Sequence, residues 1–82
     1  MSAHAYIQYG DVPDELTSFG RQHTDEATGA KLIAFEDCPF SGKLDWTENG
    51  LQIEYAWPHS LELRHALSDW FTYHGIHFTV VM

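Results

Sequence analysis

The 82-residue sequence predicts a small α+β domain: a mostly antiparallel sheet of four to six strands, with one long helix from the C-terminal half packed on one face. Three observations predict it. Asn49-Gly50 stands between two alternating runs, a strong short-range hairpin signal. Residues 61 to 73 carry apolar side chains at helical spacing behind Ser60, a good N-cap. Short runs rich in β-branched and aromatic residues, at both ends of the chain, are separated by Gly, Pro and Asp turns. At this length one core is expected, so residues 1–82 are read as a single domain.

Taken in order, residues 3 to 9 alternate Ala3, Ala5, Ile7 and Tyr9 against His4, Tyr6 and Gln8, a strand ended by Gly10. Pro13 and the acids Asp14 and Glu15 then open a short helix over about 13 to 19, with Val12, Leu16 and Phe19 on its apolar side. Arg21 to Gly29 is polar and reads as a loop or the outer arm of a loose hairpin. Lys31 to Asp37 reads as a strand inside the sheet, because Ile33 and Phe35 occupy one face and Leu32 and Ala34 the other, beside Glu36. Cys38 to Gly42 turns the chain into the central hairpin.

A two-residue Asn49-Gly50 loop sets that hairpin's register: Trp46 faces Ile53, Leu44 faces Tyr55, and on the other side Asp45 faces Glu54. Two carboxylates directly across a ladder destabilise it unless something compensates them. The long helix places Leu63, Ala66, Leu67, Trp70, Phe71 and His74 in one stripe, and Gly75 follows as a left-handed stop. Residues 76 to 82 form a final strand whose nearly continuous apolar character predicts a central position. Were the two hairpin arms one bent strand, the order would shorten to the ferredoxin-like βαββαβ.

Twelve acidic residues against four basic ones give a formal net charge of -8. Phosphate backbones and anionic membranes would repel such a chain, so its expected partner is a basic protein and not nucleic acid or a membrane. Cys38, the single cysteine, has no intramolecular partner. No basic segment with an apolar run opens the chain and no long apolar stretch follows, so a cytoplasmic protein is expected.

The chemistry-bearing candidates are mostly acids. Should Glu36 share the face of Asp45 and Glu54, three carboxylates would cross neighbouring strands at a spacing of about 4.8 Å, a row able to imitate the phosphates of a nucleic-acid strand, which presents one charge per roughly 3.4 Å of axis. Asp37 and Glu48 would extend the rim, and Trp57 and Tyr9, near strand ends, would serve as aromatic anchors. The plainer reading is a solvated sheet face. The remaining aromatics, Trp46 among them, are read as core. Glu62, His65 and Asp69 share a helix face but read as surface charges rather than metal ligands. Glu36 and Asp37 would raise the Cys38 pKa and leave it inert. With no phosphate loop, GxSxG or HExxH, no enzyme, cofactor or metal is expected.

In general character, being very short, acidic, aromatic-rich and free of catalytic motifs, the chain is similar to phage-encoded inhibitors such as anti-CRISPR and antirestriction proteins, and to bacterial toxin-immunity proteins. The similarity is one of composition. It implies a non-enzymatic inhibitor that blocks the DNA or RNA site of a basic nucleic-acid-handling protein by charge mimicry, with Glu36, Asp37, Asp45, Glu48, Glu54 and Trp57 as the binding residues. An immunity protein against a basic toxin and a homodimeric module paired through a strand edge are the alternatives, and the oligomeric state stays open.

Overall fold

A computed structural model of the protein describes residues 3–82. The chain forms β1 (Ala3–Gln8), a 3-10 turn (Tyr9–Asp11), α1 (Asp14–Thr17), β2 (Arg21–Thr24), β3 (Lys31–Ala34), β4 (Gly42–Thr47), β5 (Gly50–Trp57), α2 (Leu61–Tyr73) and β6 (Phe78–Val81). The strands make one antiparallel sheet in the order β2-β3-β4-β5-β1-β6, with α2 on one face. This is the expected α+β arrangement. The hairpin arms are two strands, so the ferredoxin-like order is not adopted.

The core follows from strand alternation. Ala5 and Ile7 of β1, Ile33 of β3, and Ile53 and Tyr55 of β5 are buried on the helix side, where Leu67, Trp70 and Phe71 of α2 close over them. Phe71 meets the Tyr55 ring edge-on at 5.4 Å and lies 4.9 Å from Phe78, while Trp70 stacks on Phe35 at 5.7 Å. Trp70 also donates its indole N–H to the Glu36 carbonyl at 3.3 Å, tying the helix to the β3–β4 turn. Such aromatic pairs add about 1 kcal/mol each beyond the area they bury.

The helix termini obey the sequence. Ser60 Oγ accepts the Leu63 N–H at 3.5 Å. At the far end Gly75 adopts φ +69°, and Ile76 and Gly75 donate to the carbonyls of Phe71 and Thr72 at 2.8 and 3.1 Å, the paired closure of a left-handed stop. The stripe is narrower than its spacing suggested. Leu63, 43% exposed, and Ala66 lie outside the contact, because the helix touches the sheet along Leu67, Trp70 and Phe71.

Close approach shapes the middle of the sheet. A Cβ on Gly42 would collide with Ile53 Cγ2 and stand 2.9 Å from the Tyr55 ring, so glycine lets β4 pass beneath two core side chains.

Three expectations are corrected. The short helix reduces to one turn, Asp14–Thr17, so Phe19 falls beyond its end and is 76% exposed. The final strand is at the sheet edge, not its centre: β6 pairs with β1 alone, and its apolar residues alternate between the helix side, where Phe78 and Val80 pack on the core, and the open side.

The third correction is the hairpin register. Thr47 pairs with Gly50, so the loop is Glu48-Asn49, and Gly50 opens β5 with φ +111° while Asn49 keeps a negative φ. Thr47 Oγ1 accepts the Asn49 N–H at 3.2 Å and donates to the Gly50 carbonyl at 2.9 Å, closing the two-residue turn with the positive-φ glycine at its exit. The slip is two residues, so every side chain keeps its face and changes its partner. Asp45 faces Gln52, and Glu54 faces Lys43.

Candidate functional site

The register decides what the acids can do. Glu54 is flanked by Lys43 on β4 and Tyr6 on β1, with His4 Nε2 at 3.9 Å from its carboxylate. The expected clash with Asp45 is replaced by an opposite-charge cross-strand pair, which is favourable where two acids would not be. Partial desolvation, followed by the charges of Glu54 and Asp45, pushes the Tyr6 phenol above its ordinary range. Glu54 therefore belongs to a local network on the face opposite α2.

Glu36 does not join Asp45 and Glu54. β3 ends at Ala34, and Glu36 and Asp37 lie in the turn that follows, with Asp37 at φ +63°. They sit at the opposite end of β4 from Glu48, a strand length of roughly 20 Å away. Trp57 is half-buried, 6.2 Å from Phe78, with the Arg64 guanidinium 6.0 Å over its ring. The three-carboxylate row across neighbouring strands is thus not formed, because the chain turns away before Glu36.

A different grouping forms at the hairpin end. The β2–β3 and β4–β5 loops leave the sheet on the same side, since Thr24 pairs with Lys31, Leu32 with Lys43 and Thr47 with Gly50. Asp25 donates its N–H to the Ala30 carbonyl at 2.8 Å, and Ala30 and Asp45 line the same cleft between the two loops. Glu26 and Glu48 occupy the two loops, and Asp11 follows Tyr9 beyond the end of β1. Five carboxylates thus lie in or beside the segments at this end of the sheet, with Lys31 at the start of β3.

Within this acidic end lies Trp46. It is 78% exposed although its alternation places it on the helix side of the sheet, because α2, about 20 Å long, covers only the other half of that face. Trp46, Leu44, Leu51 and Tyr9 line an open cleft of about 630 Å³ with Asp45 and Lys31 at its border. Sequence reasoning assigned Trp46 to the core; the signal that could have placed it is its distance along the strand from any residue that pairs with α2.

Family models, curated proteins and solved structures yield no match to this chain. Among the described residues no three His, Cys, Asp or Glu side chains converge as metal ligands, and no helix is long and apolar enough to cross a membrane.

Cys38 is half-buried behind the β3–β4 turn. Burial, rather than the neighbouring acids, pushes its thiol up, which opposes thiolate formation at neutral pH. The Tyr55 hydroxyl beside it is fully buried, makes no hydrogen bond of normal geometry, and is pushed far above the ordinary phenol range by that burial.

Proposed function

We propose that this chain is a non-enzymatic inhibitor that binds a basic, nucleic-acid-handling protein and occupies its DNA or RNA site, with the hairpin end as its contact. The observation that carries the reading is Trp46, 78% exposed at the end of the sheet where Asp11, Asp25, Glu26, Asp45 and Glu48 gather. An exposed aromatic supplies the anchor that dominates binding energy, and surrounding carboxylates supply steering toward a Lys/Arg-lined groove. The formal net charge of -8 acts in the same direction at longer range. Asp45 and Glu48 remain in the contact from the acids singled out in the sequence. Glu54 contributes less, since Lys43 and His4 already face it. Glu36, Asp37 and Trp57 lie toward the opposite end of the sheet, away from the contact.

The test is a pull-down of the wild type, Trp46→Ala and Asp45→Lys/Glu48→Lys chains against lysate, followed by competition. The expected result is capture of a nucleic-acid-binding protein by the wild type, release of the captured protein by added nucleic acid, and loss of capture in both variants. Capture that resists both nucleic acid and salt overturns the mimicry, and capture retained by both variants moves the contact elsewhere on the surface.

A further inference from the structure

The two edges of the sheet are built differently. β2 is polar throughout, with Arg21, Gln22, His23 and Thr24 all exposed and Asp25 closing the strand, which is how an edge is protected from unwanted pairing. β6, Phe78-Thr79-Val80-Val81, has no charge, no proline and no glycine, and Val81 and Met82 are 53% and 76% exposed. Among the described residues its outer main-chain groups have no strand beside them.

We propose that the β6 edge pairs antiparallel with the β6 edge of a second copy of this chain, joining two six-stranded sheets into one. Charge selects the occupant. A chain of net charge -8 repels its own copies over most of its surface. The three strands nearest this edge, β5, β1 and β6, carry one carboxylate among them, Glu54, and it is matched by Lys43 and His4. A basic partner gains nothing from an uncharged edge, whereas a second copy meets the least self-repulsion here. The strand is also self-complementary under a two-fold axis normal to the sheet. Centred on Val80, the pairing sets Thr79 opposite Val81 of the second copy and Phe78 opposite Met82 of the second copy, combinations of β-branched and large apolar residues that stabilise a ladder.

The experiment is sedimentation equilibrium of the full chain over a wide concentration range, comparing the wild type with Thr79→Lys/Val81→Lys, whose two sites are exposed and whose fold is verified by circular dichroism. The expected wild type is a concentration-dependent monomer–dimer equilibrium, weakened about tenfold or more in the variant as lysines are set across the ladder. The added lysines bring the net charge closer to zero, so general repulsion cannot account for that loss. Amide exchange gives a second readout independent of the variant: the outward amides of β6 should slow as the wild type is concentrated. A wild type that stays monomeric, a dimer unaffected by the lysines, a dimer abolished instead by Trp46→Ala, or β6 amides indifferent to concentration would each overturn the proposal.

Discussion

The helix side of the sheet divides into two halves with the same residue types and opposite fates. Toward the β3–β4 turn, Tyr55, Phe35, Trp70 and Phe71 are buried in one aromatic cluster under α2. Toward the hairpin end, Trp46 points from the same face into an open cleft that it shares with Leu44, Leu51 and Tyr9. What separates them is the reach of one 13-residue helix. An aromatic on the inward phase of a strand is a core residue only where a second layer exists above it; beyond that layer the same phase presents it to solvent.

The largest test of this contrast lies under the covered half. Gly42→Ala places a methyl against Ile53 and the Tyr55 ring, and should cost about 3 kcal/mol or prevent folding, read from urea denaturation. Phe71→Ala empties the centre of the same cluster and should cost about 3–5 kcal/mol. Trp46→Ala, a deletion of even larger volume, should change stability by less than about 0.5 kcal/mol while abolishing partner capture. If Trp46→Ala destabilised the protein as much as Phe71→Ala, the two halves would not differ and the exposed-anchor reading would fall.

A pH measurement sharpens the covered half further. Burial raises both the Tyr55 and Cys38 pKa values, so above about pH 9–10 the unfolded chain releases these protons while the native chain retains them. Stability is therefore full below that range and declines as pH rises through it. Tyr55→Phe should flatten the decline, and at neutral pH should be neutral or slightly stabilising, since it removes a buried hydroxyl that makes no normal hydrogen bond. A loss of more than about 1 kcal/mol at neutral pH would show that the Cys38 thiol is a stronger partner than its geometry indicates. The smallest effect belongs to Ser60→Ala, about 0.5–1 kcal/mol, because the cap bond is long at 3.5 Å.

Local rules were readable from the sequence where one residue type answers one backbone need. Ser60 and Gly75 bound α2 as expected, and Asn49-Gly50 marked the hairpin. Position within the sheet was less legible. β6 looked central because its residues are apolar, yet alternation lets an edge strand be apolar when one face packs and the other stays open. The acidic row failed for a different reason. It needed both a strand continuing through Glu36 and a particular hairpin register, and each depended on long-range pairing that no short window encodes. The acidic hairpin end escaped notice because Asp11, Asp25, Glu26, Asp45 and Glu48 are scattered along the chain, and only the pairing of β2 with β3 and β3 with β4 brings their loops to one side.

The hairpin tip divides labour between two adjacent residues. Gly50 alone carries the unusual backbone angle, so Asn49 is released from it, and Glu48 and Asn49 are held by main-chain and Thr47 contacts that any side chain allows. The tip is thereby a place where lineages can exchange residues without refolding the sheet beneath. Because it adjoins Trp46, a turn whose two loop side chains the fold does not call on lies beside the proposed contact. A target that altered its groove could be followed there by surface changes alone.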